Sequence, residues 1–337
     1  MAQKSNVYSH KTTGIVIASV LLVMMVVLIV VSALLIVFAG RSSTENTKDP
    51  NEDKSPTVTT TAPPKVTTTN NQKPATEPEV IKPSYIEVDV AQIGSGTVIR
   101  MDATHLYTRE GLVNYRELNA DKAEKLGFSV IPEAPEYSRT HYNLYLNKEA
   151  NGAFQAMAKQ LAADVGSSLQ VRNAYYYKAD LTAIATQDDL EAMEHSTGMV
   201  LDLQCYVNNS QYSLTHQSQK AYYEWLRANA YKYGYIWVRD TNSYSTFRYV
   251  GIPHAAAMNK LSVDLEGYFA ALVSYTFQSN FKVSDARGNE WWIYYAKAEQ
   301  GAETVKIAVV GDESNYVISG DNDSGLVIAI NSTTFSQ

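Results

Sequence analysis

A histidine and an aspartate seven residues apart are the side chains whose types and spacing best suit chemistry in this chain of 337 residues. His195 and Asp202 lie in the segment EHSTGMVLDL, which predicts a histidine on a loop followed by an aspartate on a strand. Gly198 between them permits a tight turn, so the imidazole and the carboxylate can converge on one metal ion. A pair that serves only the structure would have the same spacing, and both interpretations remain open at this point.

The elements that must position this pair follow from hydrophobic periodicity in the middle of the chain. Helical spacing covers residues 150–165 and 220–232, whereas residues 199–207 and 235–238 alternate as strands do. From residue 281 onward, short alternating segments are separated by Gly, Asn and Asp turns, which indicates further strands. We therefore predict an α+β fold, with helices on a small antiparallel sheet and a β-rich C-terminal extension.

Composition narrows the function classes. The chain carries 28 Lys+Arg against 35 Asp+Glu, a net charge of −7, so it lacks the basic surface that binds phosphates. We therefore expect no nucleic-acid partner. Cys205 is the single cysteine, which excludes an intramolecular disulfide and a cysteine-based zinc site. Its position inside an alternating strand predicts a buried structural thiol.

The N-terminal part of the chain has a different composition. Residues 14–39 contain no charge, and their length exceeds the roughly 20 residues that cross a bilayer, so we predict a retained transmembrane helix in contact with lipid. Lysines without acids precede it, which predicts a cytoplasmic tail at 1–13. Residues 40–84 are rich in Thr and Pro and predict a disordered stalk. The expected protein spans the cell membrane once and places its C-terminal domain outside the cell.

Several ordered motifs resemble those of the VanY-type D-alanyl-D-alanine carboxypeptidases, which are zinc peptidases of the bacterial cell wall. The family's Ser-x-His-x-x-Gly-x-Ala-x-Asp motif lies over residues 193–202, and its helix-strand unit lies over residues 225–236. Its Arg-Tyr-Val-Gly is intact at residues 248–251. The resemblance implies a carboxypeptidase-like domain at 85–280, followed by the β-rich extension at 281–337. It also implies that Trp225 and Tyr233 are core residues of the helix-strand unit.

The departures from the family pattern fall on its working residues. His195 and Asp202 match two zinc ligands, but the family's Glu-x-x-His, which supplies the general base and the third ligand, falls on Ser243 and Thr246. A neutral hydroxyl replaces neither a carboxylate base nor a third zinc ligand well. The zinc that the resemblance implies is therefore expected to bind weakly or not at all.

The family's substrate-binding arginine is also missing. Its Ser-Gly-Tyr-Arg falls on residues 173–176, so Tyr176 stands in the place of the arginine. The nearby Arg172 is expected on the opposite side of its strand. Tyr175, Tyr176 and Arg248 remain the candidate substrate-binding residues. His216 and His254 could each complete a metal site, but we expect both to be solvated or to cap a helix.

These observations favour a membrane-anchored, extracellular pseudoenzyme that binds peptidoglycan stem peptides or another envelope protein. Two alternatives remain open. The first is an active zinc D,D-carboxypeptidase, in which an unrecognised third ligand joins His195 and Asp202 and the terminal D-Ala is removed from stem peptides. The second is a structural interaction module that binds neither metal nor peptide. Metal content separates the first alternative from the others, and binding to cell-wall fragments separates the pseudoenzyme from the structural module.

Overall fold

The computed structural model describes residues 81–178 and 181–336. The predicted cytoplasmic tail at 1–13, the membrane helix at 14–39 and nearly all of the stalk at 40–84 lie outside the described residues. Among the helices of the described part, none is both long enough and apolar enough to span a membrane.

The described chain contains short strands and six α-helices. The strands are β1 (Ser84–Asp89), β2 (Phe128–Val130), β3 (Tyr137–Arg139), β4 (Tyr145–Asn147), β5 (Leu169–Asn173), β6 (Val200–Val207), β7 (Ser210–Tyr212), β8 (Tyr235–Asp240), β9 (Ser245–Tyr249), β10 (Phe281–Ser284), β11 (Glu290–Lys297), β12 (Thr304–Val309), β13 (Tyr316–Gly320) and β14 (Gly325–Asn331). The helices are α1 (Ala120–Lys125), α2 (Lys148–Asp164), α3 (Gln187–Ser196), α4 (Lys220–Asn229), α5 (Ile252–Leu261) and α6 (Leu265–Leu272).

The central sheet has the strand order β3-β5-β6-β9-β8, and β7 pairs with part of β6. All of its neighbours are antiparallel except β3 and β5. In the register of β6 with β9, Asp202 lies opposite Thr246 and Leu203 lies opposite Ser245. The mixed helix and sheet fold that the sequence predicts is thereby confirmed, and the sheet is the element that positions the predicted site.

One face of the central sheet is apolar and packs against α2. Asn147 begins this helix, because its side chain accepts hydrogen bonds from the backbone N–H groups of Glu149 and Ala150. Buried side chains then recur at helical spacing along one side of α2, which is the pattern of an amphipathic helix on a core. The residues that meet in this core include Phe154, Met157, Leu161, Leu201, Leu203, Cys205 and Phe247. Cys205 is the buried thiol that its sequence position predicts.

The opposite, polar face of the sheet lies beneath α3. Thr186 begins α3 with a capping box, in which its hydroxyl accepts from the Asp189 N–H and the Asp189 carboxylate accepts from the Thr186 N–H. His195 lies in the last turn of this helix. The expectation that His195 lies on a loop is therefore wrong, because the helix continues to Ser196 before the chain turns into β6.

Helix α4 buries Tyr222 and Leu226, whereas Trp225 and Tyr233 are only half-buried at the edge of the core. The expectation that Trp225 and Tyr233 are core residues is thus corrected. The Trp225 indole N–H donates to Asp164 Oδ2 at 2.7 Å, which holds the ring at the surface between α2 and α4. An indole whose N–H finds its partner at a helix end stays partly exposed.

A second sheet follows in the C-terminal part, with the strand order β10-β11-β14-β13. One face contributes Ile293, Val327 and Ala329 to a cluster with residues of α5 and α6. The other face packs against a two-stranded ribbon, in which β1 pairs antiparallel with β12. The segment at 84–89 thus pairs with a strand from the C-terminal part of the chain, and the domain division at residue 280 stays a prediction.

Candidate functional site

Asp202 is the centre of the polar face and accepts hydrogen bonds from both neighbouring strands. Thr246 Oγ1 on β9 donates to Asp202 Oδ1 at 2.7 Å, and Asn173 Nδ2 on β5 donates to Asp202 Oδ2 at 2.9 Å. His195 Nε2 lies 3.3 Å from Asp202 Oδ2. His195 and Asp202 are each only 1% exposed. Three protein groups therefore contact the carboxylate inside a buried cluster, which we call the Asp202 network (Asn173, His195, Asp202 and Thr246).

A bulge in β5 brings Asn173 into this network. Val171 pairs with Leu203 on the apolar face, and regular alternation would place Asn173 on that face too. The register shifts between Val171 and Asn173, so Asn173 faces Asp202 instead. Arg172 within the bulge donates from Nη1 to Gln204 Oε1 at 3.3 Å, and Gln204 lies on the same face as Asp202. The expectation that Arg172 points to the opposite side is therefore wrong.

His195 is held by both of its ring nitrogens. Nδ1–H donates to the carbonyl oxygen of Ala174 at 2.6 Å, which directs Nε2 toward Asp202. Burial alone would lower the pKa of His195, but the charge and hydrogen bond of Asp202 outweigh it and raise that pKa above its usual value. Burial likewise acts to raise the pKa of Asp202, and His195, Asn173 and Thr246 together hold it below its usual value. Each of the two side chains thus favours the charged form of the other.

Charged and aromatic side chains surround the network on its helix side. Arg239 on β8 forms an ion pair with Glu194 and lies 3.8 Å from Glu191, both on α3. The Tyr244 hydroxyl donates to Glu191 Oε2 at 3.0 Å, and the guanidinium of Arg172 lies 5.0 Å above the Tyr244 ring. These contacts fasten α3 over the polar face and leave the pair beneath it without access to water.

The structure brings some of the predicted site residues together and separates others. Tyr176 stacks on the His195 ring with a centroid distance of 4.8 Å, so it covers the pair where the family arginine would project. Tyr175 instead packs against Phe128 at 5.0 Å, and its hydroxyl donates to the Val113 carbonyl.

Two further predicted site residues lie apart from the pair. Ser243 is exposed in the turn between β8 and β9, where its backbone N–H donates to Thr241 Oγ1. Arg248 is 3% exposed and donates from Nη2 to the carbonyl oxygens of Ile99 and Thr97.

The two other histidines differ from each other. His216 caps a single turn of 3₁₀ helix at Gln217–Gln219, which confirms its predicted capping role. His254 is fully buried in α5, and its Nδ1 lies 2.9 Å from the Tyr268 hydroxyl. The expectation that His254 is solvated or caps a helix is therefore wrong. Burial lowers its pKa to about 4, so this imidazole is neutral at physiological pH.

Sequence reasoning missed Asn173, Arg239 and Glu194 as members of this region. No sequence signal reveals the β5 bulge, because a bulge is set by strand pairing and not by local residue type. A signal did exist for Glu194, which lies next to His195 and three residues after Glu191 on α3. Residues three apart share one face of a helix, so the two acids form a negative surface that a cation such as Arg239 can contact.

The residues present do not fit a catalytic zinc ion. The 3.3 Å between His195 Nε2 and Asp202 Oδ2 suits two ligands of a tetrahedral site with bonds of about 2.0–2.1 Å. The third position, however, is the Thr246 hydroxyl, which donates its proton to Asp202. Across residues 81–178 and 181–336, no group of three or more His, Cys, Asp or Glu side chains is arranged to hold a metal ion. The donor set is therefore incomplete within the described chain.

Comparisons with known proteins agree with the resemblance seen in the motifs. The chain is 27% identical over 210 residues to a D-alanyl-D-alanine carboxypeptidase of Enterococcus faecium. That alignment covers 58% of this chain and 64% of the relative, so the chain spans less than two thirds of the relative's length. No family model matches the chain.

Among solved structures, the vancomycin resistance D,D-dipeptidase VanXYg in complex with a D-Ala-D-Ala phosphinate analogue has a similar fold. The TM-score is 0.55 at 21% identity, over 74% of this chain and 99% of that one. VanYB in complex with D-alanine-D-alanine gives a TM-score of 0.31 at 19% identity, over 42% of this chain and 93% of that one. From the sequence similarity and the shared fold, we conclude that the chain is related to the VanY-type D-alanyl-D-alanine carboxypeptidases.

Proposed function

We propose that this protein is a carboxypeptidase-like binding protein that has lost hydrolysis and that recognises peptidoglycan stem peptides or an envelope protein. One observation carries the first half of the proposal. Thr246 stands where the family's third zinc ligand is expected, and its hydroxyl donates to Asp202. A hydroxyl that donates its proton to Asp202 is not arranged as the third ligand of a metal ion. The Asp202 network therefore works as a structural connection between β5, β6, β9 and α3.

The other groups that amide hydrolysis needs are also missing from this region. The expected position of the general base is Ser243, which is neutral and exposed in a turn. The expected position of the substrate arginine is Tyr176, whose ring lies flat on His195. A general base and an electrostatic contact each contribute about 10²-fold or more to a rate. Their joint absence predicts no useful turnover.

Support for peptide recognition comes from the relatives. The sequence relative is a D-alanyl-D-alanine carboxypeptidase, and the structure with the shared fold holds a D-Ala-D-Ala phosphinate analogue. We propose that this chain retains the scaffold for the same class of ligand. We further propose that it acts at the outer side of the cell membrane, because residues 14–39 form an uncharged stretch long enough to cross a bilayer.

The test measures D-Ala release from a pentapeptide stem with added zinc, comparing the unaltered full-length chain with His195→Ala. We expect no release from either protein. Circular dichroism serves as the control that both proteins are folded. Release that requires both zinc and His195 would show that the protein is an active D,D-carboxypeptidase and would refute the loss of hydrolysis. A parallel sedimentation assay with purified peptidoglycan tests the binding half of the proposal. A folded, unaltered chain that fails to bind would favour the structural interaction module.

A further inference from the structure

A small pocket lies beside α3, between this helix and the segments that carry Arg109 and Tyr177. Its volume is about 100 Å³, and we call it the Arg109 pocket. Drug-sized ligands occupy pockets of about 300–1,000 Å³, so this one suits a group of only a few heavy atoms. The polar residues that line it are Tyr107, Thr108, Arg109, Tyr177, Lys178 and Ser196.

The charged groups of this lining are both cations. Arg109 and Lys178 supply them, and among the residues that the structure describes no carboxylate lines the pocket. Lys178 already forms an ion pair with Asp189 on α3. The guanidinium of Arg109 therefore supplies the positive charge that remains for a bound group.

The other acids of α3 are turned away from the pocket. Because a helix makes one turn in about 3.6 residues, Met193 and Ser196 lie on the side of α3 opposite to Glu191 and Glu194. Both glutamates contact Arg239 on β8 instead. The helix thus presents its negative side to the central sheet and its uncharged side to the Arg109 pocket.

Asp189 is the acid of α3 that lies nearest to the pocket, and both of its carboxylate oxygens are in use. Oδ1 accepts from the Lys178 ammonium, and Oδ2 accepts from the Thr186 N–H at 3.1 Å and from the Thr186 hydroxyl at 2.9 Å. These hydrogen bonds form the N-terminal cap of α3. Asp189 is therefore committed to Lys178 and to the cap, and does not neutralise Arg109.

Arg109 acts on the phenols around it. Burial raises the pKa of Tyr107, and the charge of Arg109 opposes this rise without cancelling it. The Tyr107 hydroxyl is therefore protonated at neutral pH and can donate a hydrogen bond. The same guanidinium lies 5.6 Å from the Phe128 ring, which supports it on one side.

The mouth and the floor of the pocket differ in polarity. Arg109 and Lys178 are exposed, whereas Tyr107 and Tyr177 are half-buried. Met193, on the floor, is only 3% exposed. An anion that enters from solvent thus meets cations at the mouth and hydroxyl donors further in. Hydrogen bonds to a charged group gain strength in such a partly desolvated space.

We propose that the Arg109 pocket binds one small oxyanion, a carboxylate or a phosphate group, whose oxygens accept hydrogen bonds from Arg109, Tyr107 and Tyr177. The site shares no residue with the Asp202 network, and Met193 and Ser196 lie on a different side of α3 from His195. It depends neither on the loss of hydrolysis nor on the proposed peptidoglycan ligand.

The experiment is equilibrium dialysis of the full-length chain against radiolabelled phosphate and, separately, acetate at constant ionic strength. We expect one anion per chain with a Kd of about 1 mM or below. Arg109→Gln should weaken binding at least about tenfold, because it removes the charge-assisted hydrogen bonds. Tyr177→Phe keeps the ring, loses one donor and should weaken binding about threefold or more. Arg116→Gln, which replaces another exposed arginine that lies over a tyrosine ring, is the matched control.

Each outcome has a separate meaning. Weaker binding by Arg109→Gln and Tyr177→Phe, with full binding by Arg116→Gln, supports the site, and the tighter anion shows whether it takes phosphate or carboxylate. Equal binding by the unaltered chain and a folded Arg109→Gln, or an equal loss in Arg116→Gln, means an adventitious ion only and overturns the inference. Absence of binding to the folded, unaltered chain overturns it too. D-Ala release and sedimentation with peptidoglycan test the proposed function separately, and none of these results changes it.

Discussion

The Asp202 network and the buried side chain of Arg248 lie on the same face of the central sheet, yet their polar groups are satisfied to different degrees. Asp202 is contacted by Thr246, Asn173 and His195, and the cluster is sealed. Arg248 has two carbonyl partners, an unpartnered Nε and an adjoining cavity. The contacts of Asp202 connect β6 with β5, β9 and α3, whereas Arg248 connects β9 only with the segment at Thr97 and Ile99.

The largest expected effect separates these two regions by stability. Asp202→Ala should lower the free energy of unfolding by about 3–5 kcal/mol, because it leaves His195, Asn173 and Thr246 unpartnered in a buried space. Arg248→Met should cost less than about 2 kcal/mol, since removing the desolvated charge offsets the two lost hydrogen bonds. Urea unfolding followed by circular dichroism measures both. Equal losses of unfolding free energy for the two substitutions would contradict the expected difference between the two regions.

The pH dependence of stability tests how a buried group without a counter-charge, His254, contributes to the fold. The pKa of His254 is lowered to about 4 in the folded protein, below its ordinary value near 6.5. Its contribution to stability is therefore complete above about pH 6.5 and decreases as the pH falls toward 4, by a total on the order of 3 kcal/mol.

The matched variants are His254→Gln and His141→Gln, and the latter replaces an exposed histidine. Urea unfolding at pH 7 and at pH 4.5 should show a smaller loss of stability for His254→Gln than for the unaltered chain. His141→Gln should retain the full loss. An unchanged pH dependence in His254→Gln would mean that other groups dominate acid unfolding.

The sequence was sufficient to predict the helices and strands that carry this site. It was not sufficient to predict which side chains contact each other there. Periodicity located α2, β6 and the α4 region within a few residues, because buried faces impose their spacing on the sequence. The β5 bulge depends on how β5 and β6 pair, so it left no mark that could have placed Asn173 or Arg172 correctly.

The histidines show the same limit. His195 lies at a helix end and not on a loop, and His254 is buried although it follows a proline at the start of a helix. The burial of a residue in α5 depends on the second sheet that packs against the helix, and the strands of that sheet come from far along the chain. Long-range packing of this kind overrides local preference.

A double substitution tests whether the Asp202 network stands where a metal would bind. Ser243→Glu combined with Thr246→His restores the family residues and should bind zinc about 100-fold more tightly than the unaltered chain, because three protein ligands then surround one position. The control is Ser243→Glu with Thr246→Val, which keeps the side-chain shape and provides no ligand. Calorimetry with zinc measures both. Failure of a folded double variant to gain affinity would mean that the pair is not positioned as two zinc ligands.

The smallest expected effect concerns the edge of the core, which neither region reaches. Trp225→Ala should cost about 1–2 kcal/mol, because the half-buried indole loses one hydrogen bond to Asp164 and part of its packing. Leu226→Ala, at the neighbouring and fully buried position, should cost about 2–5 kcal/mol. Thermal and urea unfolding of the two variants give the ranking. A larger loss of stability for Trp225→Ala than for Leu226→Ala would show that Trp225 is a core residue.

The central claim is that the family's metal centre has become a structural hydrogen-bond network. The most direct measurement is the zinc content of the full-length chain after equilibrium dialysis against micromolar zinc, determined by mass spectrometry of the metal. We predict no stoichiometric zinc, because Thr246 offers a hydroxyl where a third protein ligand is needed, so that only His195 and Asp202 remain as ligands in the described part of the chain. One zinc ion per chain, lost when His195 is replaced by alanine in a protein that remains folded, would contradict the account.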